Sequence, residues 1–278
     1  MHSVSKAGAL VLSLGAFGML AGTTQAAVVA YEGFDYTVPN TVDSLNGGTG
    51  WTGAWSDLNG GTGHTFDIVS PGQTYTDGTN DLVVSGNAMI EDEQNTGSAV
   101  NGSNYRRTFD NTGLAGDGTD LWVSYVVNIE GGGSHGFHLA NSDANFGTQI
   151  SRTSGDVWRL QVGGTGVNST INAGGQTLVL LKIDYSNAAN SDVVSVWFNP
   201  SDISTEPLTS SADLQLTGQN IANNSQLRFF AGNFPTSVTY DEIRIATTFE
   251  DAVPIPEPGT MALGAAGLAM LARRRRTA

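Results

Sequence analysis

The middle of this chain has no long stretch with apolar residues at helical spacing, which removes most helical and mixed folds from consideration. What recurs is short alternation of apolar and polar residues, bounded by glycine, asparagine and aspartate. Segments of this kind are half-buried strands joined by tight turns. Leu121–Val127, Val157–Val162, Leu178–Asp184, Val193–Phe198, Gln226–Ala231 and Val238–Ile245 have the pattern clearly. Val28–Tyr31, Thr65–Ser70, Asp81–Ser85, Tyr105–Phe109, Gly136–Ala140 and Asp213–Leu216 have it more weakly. About a dozen strands in one domain predict an all-β fold, a two-sheet antiparallel sandwich or a barrel. Leu178-Val179-Leu180-Leu181 is apolar on both faces, which predicts a central strand or one beneath a covering loop.

The two ends differ from the middle. Residues 1–26 read as a secretory signal peptide. Lys6 supplies the positive start, Ala7–Ala21 is apolar, and Thr24-Gln25-Ala26 places small residues for cleavage after Ala26. Residues 253–278 have three parts in order. Prolines 254, 256 and 258 stop helix and sheet across Pro254-Ile255-Pro256-Glu257-Pro258. Gly259–Ala272 is apolar and uncharged, and Arg273, Arg274, Arg275 and Arg276 form a basic block that prefers the cytoplasmic side of a membrane. The apolar segment is shorter than the about 20 residues of a comfortable span. A buried core helix is the alternative, but such a helix should not end in four arginines.

Pro256-Glu257-Pro258, the apolar stretch and the arginine cluster together resemble the PEP-CTERM sorting signal of Gram-negative bacteria. The resemblance implies processing by exosortase, a membrane-embedded cysteine transpeptidase, at or near the Pro-Glu-Pro motif. It also implies that the tail enters the membrane only transiently, as a short apolar helix. The cargo would then pass to the cell surface or extracellular matrix, without a membrane helix of its own.

Charge is unevenly divided. All 26 acidic residues fall between Glu32 and Glu257, while five of the 12 basic ones, Lys6 and Arg273–Arg276, sit in the end segments. Seven basic residues therefore face 26 acids from Ala27 to Glu257, a formal charge of −19. So acidic a surface argues against nucleic acid or anionic lipid as a partner, because both need basic patches. It suits a solvated extracellular protein, or one that collects divalent cations. Cysteine is absent, which excludes disulfides, thiolate metal sites and a cysteine nucleophile. Residues 27–252 are long enough to hold together by their core alone.

Few residues stand out as site candidates. Trp51 and Trp55 lie in the glycine-rich run Asn46–Trp55. They either stack on a sugar ring or plug one end of the sandwich, and the flanking glycines favour the plug. Glu91-Asp92-Glu93 is a carboxylate run, either a cation site or a solvated edge or loop. It lacks the alternating spacing that would set two carboxyls on one strand face, about 5 Å apart, as a retaining glycosidase requires. Alternation along Tyr240–Ala246 puts Asp241, Ile243 and Ile245 on one face and Tyr240, Glu242 and Arg244 on the other. Asp241 then needs backbone amides, an arginine or a cation such as calcium. His135 and His138, three apart, point to opposite faces of a strand and share no metal. There is no nucleophile elbow and no phosphate loop, and Gly163-Gly164-Thr165-Gly166 reads as a turn.

Tyr240-Asp241-Glu242-Ile243-Arg244-Ile245, near the end of the strand-rich part, resembles the closing strand of LamG-like, concanavalin A-like jelly rolls. Asn46–Trp55, Leu180–Tyr185 and Asp192–Pro200 are similar to PEP-CTERM proteins carrying that domain. The resemblance implies two packed antiparallel sheets with first and last strands adjacent. In some members it also implies calcium or carbohydrate at a concave face or rim. The catalytic carboxylate motif of the enzymatic relatives is missing here. The expectation is a non-enzymatic jelly roll over residues 27–252 that binds or organises extracellular polysaccharide. A glycan-cleaving enzyme of the same fold and a purely structural matrix protein are the alternatives.

Overall fold

The computed structural model of the protein describes residues 28–59, 65–92, 104–143, 147–231 and 236–256. Ala26, Glu93, Glu257, Pro258, Gly259–Ala272 and Arg273–Arg276 lie outside the described residues. In chain order the strands are β1 (Val28–Glu32), β2 (Asn40–Thr41), β3 (Ser56–Asp57), β4 (Asp67–Val69), β5 (Ala88–Asp92), β6 (Asn104–Thr108), β7 (Asp120–Gly131) and β8 (His135–Ala140). They continue with β9 (Thr148–Arg152), β10 (Val157–Val162), β11 (Thr165–Asn172), β12 (Gly175–Asp184), β13 (Asp192–Phe198), β14 (Leu214–Gln219), β15 (Gln226–Ala231) and β16 (Thr236–Ala246). One helical turn, α1 (Phe249–Ala252), follows.

Among the described residues these strands form two antiparallel sheets. The nine-stranded sheet runs β14-β13-β12-β7-β16-β5-β4-β2, with β1 also paired to β16. The seven-stranded sheet runs β11-β10-β9-β8-β15-β6-β3. This is the expected sandwich, and its first and last strands pair, as in a jelly roll. Inward-facing aromatics fill the space between the sheets. Phe229 of β15 and Tyr240 of β16 meet across it with ring centroids 4.3 Å apart, and Tyr125 stacks on Phe137 at 4.9 Å.

A second apolar layer covers the outer side of the nine-stranded sheet. Trp122, Val126, Leu178, Leu180 and Trp197 project outward there beneath Leu82, Ile203, Phe249 and Val253. Trp122 stacks on Trp197 at 5.9 Å and receives the Phe249 ring edge-on at 5.5 Å. Val179 and Leu181 face the inner core. The doubly apolar run in β12 is thus a strand under covering loops, because both its faces are buried by different layers.

The chain after β16 is the strap that closes this outer layer. Thr248 caps α1 by accepting from the Asp251 amide at 3.3 Å. The Ser124 hydroxyl donates to the Ala252 carbonyl, and the Val83 amide donates to the Pro254 carbonyl at 2.9 Å. Packing therefore continues past Ala252 to Ile255, and Pro256 is exposed. No helix among the described residues is long and apolar enough to cross a membrane.

Three sequence expectations need correction. Asp81–Ser85 is not a strand. Its polar backbone is satisfied piecemeal: Leu82 N–H donates to Tyr75, Val83 N–H to Pro254, and Ser85 N–H to the Glu242 carboxylate. Glu91, the first of the carboxylate run, is not in a loop or at a solvated edge either. Ala88–Asp92 is β5, held between β16 and β4, with Glu91 fully buried opposite Val238. Finally, Tyr240 and Ile243 both point into the core, so Asp241 does not share a face with Ile243 and Ile245. A bulge intervenes: the register on β7 slips between Asp241 and Arg244, and Glu242 has φ of 55°. One extra residue in the strand shifts every later side chain to the other face. The bulge sits where β16 exchanges one edge partner, β5, for another, β1.

Candidate functional site

The glycine-rich run Asn46–Trp55 packs around a buried ion pair. Glu32 of β1 meets Arg107 of β6 from the opposite sheet, both almost wholly enclosed. Glu32 also accepts from the Phe34 amide (3.0 Å), the Tyr36 hydroxyl (2.9 Å) and Trp55 Nε1 (3.2 Å). Arg107 donates to the carbonyls of Gly53 (2.9 Å) and Gly47 (2.7 Å) and to Asn46 Oδ1 (3.1 Å). Its guanidinium lies 4.9 Å from the Trp51 ring centre and 5.7 Å from that of Trp55. Trp55 is 1% exposed and stacks on Phe34 at 6.0 Å. Trp51 is half-buried, its Nε1 donating to the Tyr31 carbonyl at 2.9 Å and Phe109 meeting it edge-on. Stacking on a sugar needs an open ring face, and Trp55 offers none. At Gly50, φ is 76° and a Cβ would strike the Val29–Ala30 backbone, so only glycine lets the loop lie this close to β1.

Asp241 lies on the outer side of the nine-stranded sheet and caps a loop from beneath. Its carboxylate accepts from the amides of Gln73 (2.7 Å) and Glu242 (2.8 Å). Burial pushes its pKa up to about 8, against the pull of those amides. Beside it, Glu242 accepts from the Tyr31 hydroxyl at 3.0 Å, the Ser85 amide at 2.5 Å and Arg244 at 2.6 Å. Burial raises the Glu242 pKa as well. Glu91 points into the core instead, so the sheet separates it from Asp241. Asp92 contributes backbone to β5. Among the described residues no group of three or more His, Asp or Glu could hold a metal ion. Asp241 and Glu91 are thus not brought together as a calcium site.

The remaining polar concentration is the outer face of the seven-stranded sheet. Leu227 and Phe229 point inward from β15, so Gln226, Arg228 and Phe230 point outward. Strand register then sets a row across five strands: Arg106, Arg228, His138, Gln149 and Gln161. A parallel row holds Asn104, Phe230, Gly136, Ser151 and Arg159. The Phe230 ring lies across Gly136, where a Cβ would overlap it, and contacts His138 at 4.7 Å between centroids. Asp143 borders the face. Its carboxylate pairs with Arg106 and accepts from Gln226 at 3.3 Å, and its carbonyl accepts from Arg228 at 2.9 Å. Burial, and then the charge of Arg228, hold the His138 imidazole down at about 3, so it is neutral at ordinary pH. Gln226, Arg228 and His138 are buried, each 4% exposed, while Phe230, Arg106, Gln149, Gln161 and Arg159 are half-buried. A half-buried ring with half-buried planar groups on the same face can stack on a polar ring and bond its edge.

Sequence reasoning did not single out Arg106, His138, Arg228 or Phe230 as a group. The available signal was the placement of basic residues: five of the seven between Ala27 and Glu257 fall on this sheet, at Arg106, Arg107, Arg152, Arg159 and Arg228. Their alignment required knowing that β15 lies between β6 and β8, strands far apart in sequence.

Fold and face together define an all-β, two-sheet sandwich of the jelly-roll kind, with one uncommonly carboxylate-poor sheet. The chain also carries an address, for residues 254–276 match the PEP-CTERM protein-sorting motif. That motif marks export and exosortase processing, with anchoring through the C-terminus beforehand. No curated protein matches the sequence. Among solved structures, the endo-1,3-beta-glucanase from Streptomyces sioyaensis is similar at 12% identity, covering 81% of this chain and 98% of that one, with a TM-score of 0.47. A sialidase is similar at 11% identity and a TM-score of 0.41, covering 64% of this chain and 17% of that one. The binding domain of Botulinum Neurotoxin DC gives 10% identity, 67% and 44% coverage, and a TM-score of 0.38. The chain thus spans less than half the length of the latter two.

Proposed function

We propose that this is an exported, exosortase-sorted protein of the cell surface or extracellular matrix, whose sandwich binds glycan without cleaving it. The carrying observation is Phe230, a half-buried ring on the outer face of the seven-stranded sheet, with half-buried Arg106 and Arg159 on the same face and Gln226, Arg228 and His138 buried around its base. Aromatic rings that take one face of a sugar, with planar polar groups at its edge, are the economical way to hold a carbohydrate. The non-catalytic part of the reading is supported by the make-up of the same face. Glycoside cleavage works through two carboxyls flanking the scissile bond, and β6, β8, β9, β10, β11 and β15 contain neither Asp nor Glu.

A glycan array probed with the processed protein tests the binding reading. Phe230→Ala is expected to abolish retention on the bound glycans while leaving the circular dichroism spectrum unchanged. Binding at wild-type strength would remove the face from consideration. The sorting reading is tested in the producing cell, where Glu257→Ala is expected to leave the tail uncut and to lower surface display. Normal processing of that variant would sink it.

A further inference from the structure

We infer that the glycan taken by the outer face of the seven-stranded sheet is acidic, bearing carboxylate or sulfate oxyanions; the inference rests on the glycan-binding reading of that face. The first observation is charge segregation. From Ala27 to Glu257 the formal charge is −19, yet six of the seven strands of this sheet contain no Asp or Glu, and they hold five of the seven basic residues in that stretch. Arg107 and Arg152 are buried and paired with Glu32 and Asp156, which leaves Arg106, Arg159 and Arg228 for the outer face. The outer side of the other sheet has the opposite character, with Asp120, Asp184 and Glu206 all within 3.4 Å of Lys182. An acidic polymer meets repulsion over most of this molecule and attraction on one sheet, which orients its approach.

The second observation is the kind of cation. The outward basic side chains are Arg106, Arg159 and Arg228, with no lysine. Guanidinium is planar, remains charged when partly buried, and matches two oxygens of a carboxylate or sulfate at once. Arg106 and Arg228 are cross-strand neighbours; Arg106 is half-buried and open to a ligand, while Arg228, 4% exposed, lies behind it and adds its charge to the same patch. Arg159 lies in the adjoining row with Phe230. Row spacing follows the strand separation of about 4.8 Å, so the two rows span about 19 Å from β6 to β10, long enough for several sugar rings. An acidic saccharide lying along the rows could offer an oxyanion at each end and stack a ring on Phe230 between them.

The third observation is the group already beside the arginines. Asp143 is the carboxylate that pairs with Arg106 and also receives Gln226, and both members of the pair are accessible, at 31% and 51% side-chain exposure. The protein thus holds its own oxyanion against this patch. A ligand oxyanion would replace Asp143 or join it, so Asp143 opposes an acidic ligand and has no such effect on a neutral one.

The test is binding of the processed protein to three immobilised polysaccharides: a polyuronate, a sulfated galactan and a neutral β-glucan. The expected result is retention on one or both acidic polymers, weakening steeply from low to high salt. Arg106→Gln and Arg159→Gln, at half-exposed positions, should each weaken acidic binding by about tenfold. Asp143→Asn should strengthen it, a gain that a loss of folding could not mimic. The polyuronate and sulfated arms distinguish the source of the oxyanion. Binding to the neutral glucan alone, or acidic binding indifferent to the arginine variants, overturns the inference and leaves glycan binding standing. Retention on none of the three, nor on any member of a broad glycan array, overturns the glycan reading itself.

Discussion

Removing Arg107 would strand Glu32 between the two sheets. The pair is enclosed, and Glu32 keeps three other donors, from Phe34, Tyr36 and Trp55, that hold its carboxylate in place. An uncompensated buried charge is costly, so Arg107→Met is expected to lower stability by about 3–5 kcal/mol, read from the urea midpoint. Adding Glu32→Gln should recover much of that loss, because the remaining group is then neutral. Asp241 gives a pH signature. Its folded pKa of about 8 lies above its ordinary 3.8. Between those values the folded protein keeps a proton that the unfolded chain has released. Stability from this group is therefore full below about pH 4 and declines as pH rises toward 8. Urea titrations across that range should show the decline, and Asp241→Asn should flatten it by one proton's slope. A carboxylate on Asp241 was readable from the sequence as an unusual buried acid. That its partners are the Gln73 and Glu242 amides was not, because Gln73 lies in a loop with no pattern of its own.

At the level of elements, the strands with strict alternation were legible and those without it were not. Val157–Val162 and Gln226–Ala231 coincide with β10 and β15, since each alternates over a core face. β9 and β11 escaped notice because Thr148–Arg152 and Thr165–Asn172 have few apolar residues to mark the period. The bulge at Glu242 was invisible for a different reason: an inserted residue changes the phase of alternation without altering composition. The outer layer is the element whose loss is easiest to measure. Phe249 contributes a buried ring against Trp122 from a single helical turn. Phe249→Ala is expected to cost about 3–5 kcal/mol. It should also red-shift tryptophan fluorescence, as Trp122 becomes accessible.

For the whole molecule, the strap after β16 ties the sorting motif to the domain. Val253 is buried, Ile255 packs on the outer layer, and the Pro254 carbonyl holds Val83. A chain ended after Pro256 should therefore be more stable than one ended after Ala252. Burying a valine contributes about 1.5–3 kcal/mol and the hydrogen bond about 1 kcal/mol. The comparison is a thermal melt of the two forms, and equal midpoints would show that the strap adds nothing. The sequence alone determined the fold class, the C-terminal sorting motif and the acidic balance, because period-two alternation, proline breaks and charge runs are local properties of the chain. Only the tertiary structure decided where Arg106, His138, Arg228 and Phe230 meet. Their neighbourhood depends on the pairing of β15 with β6 and β8, strands distant from it in sequence, and on which inner faces the core could bury. That selection follows from packing two sheets against each other, a global requirement that no short stretch of residues carries.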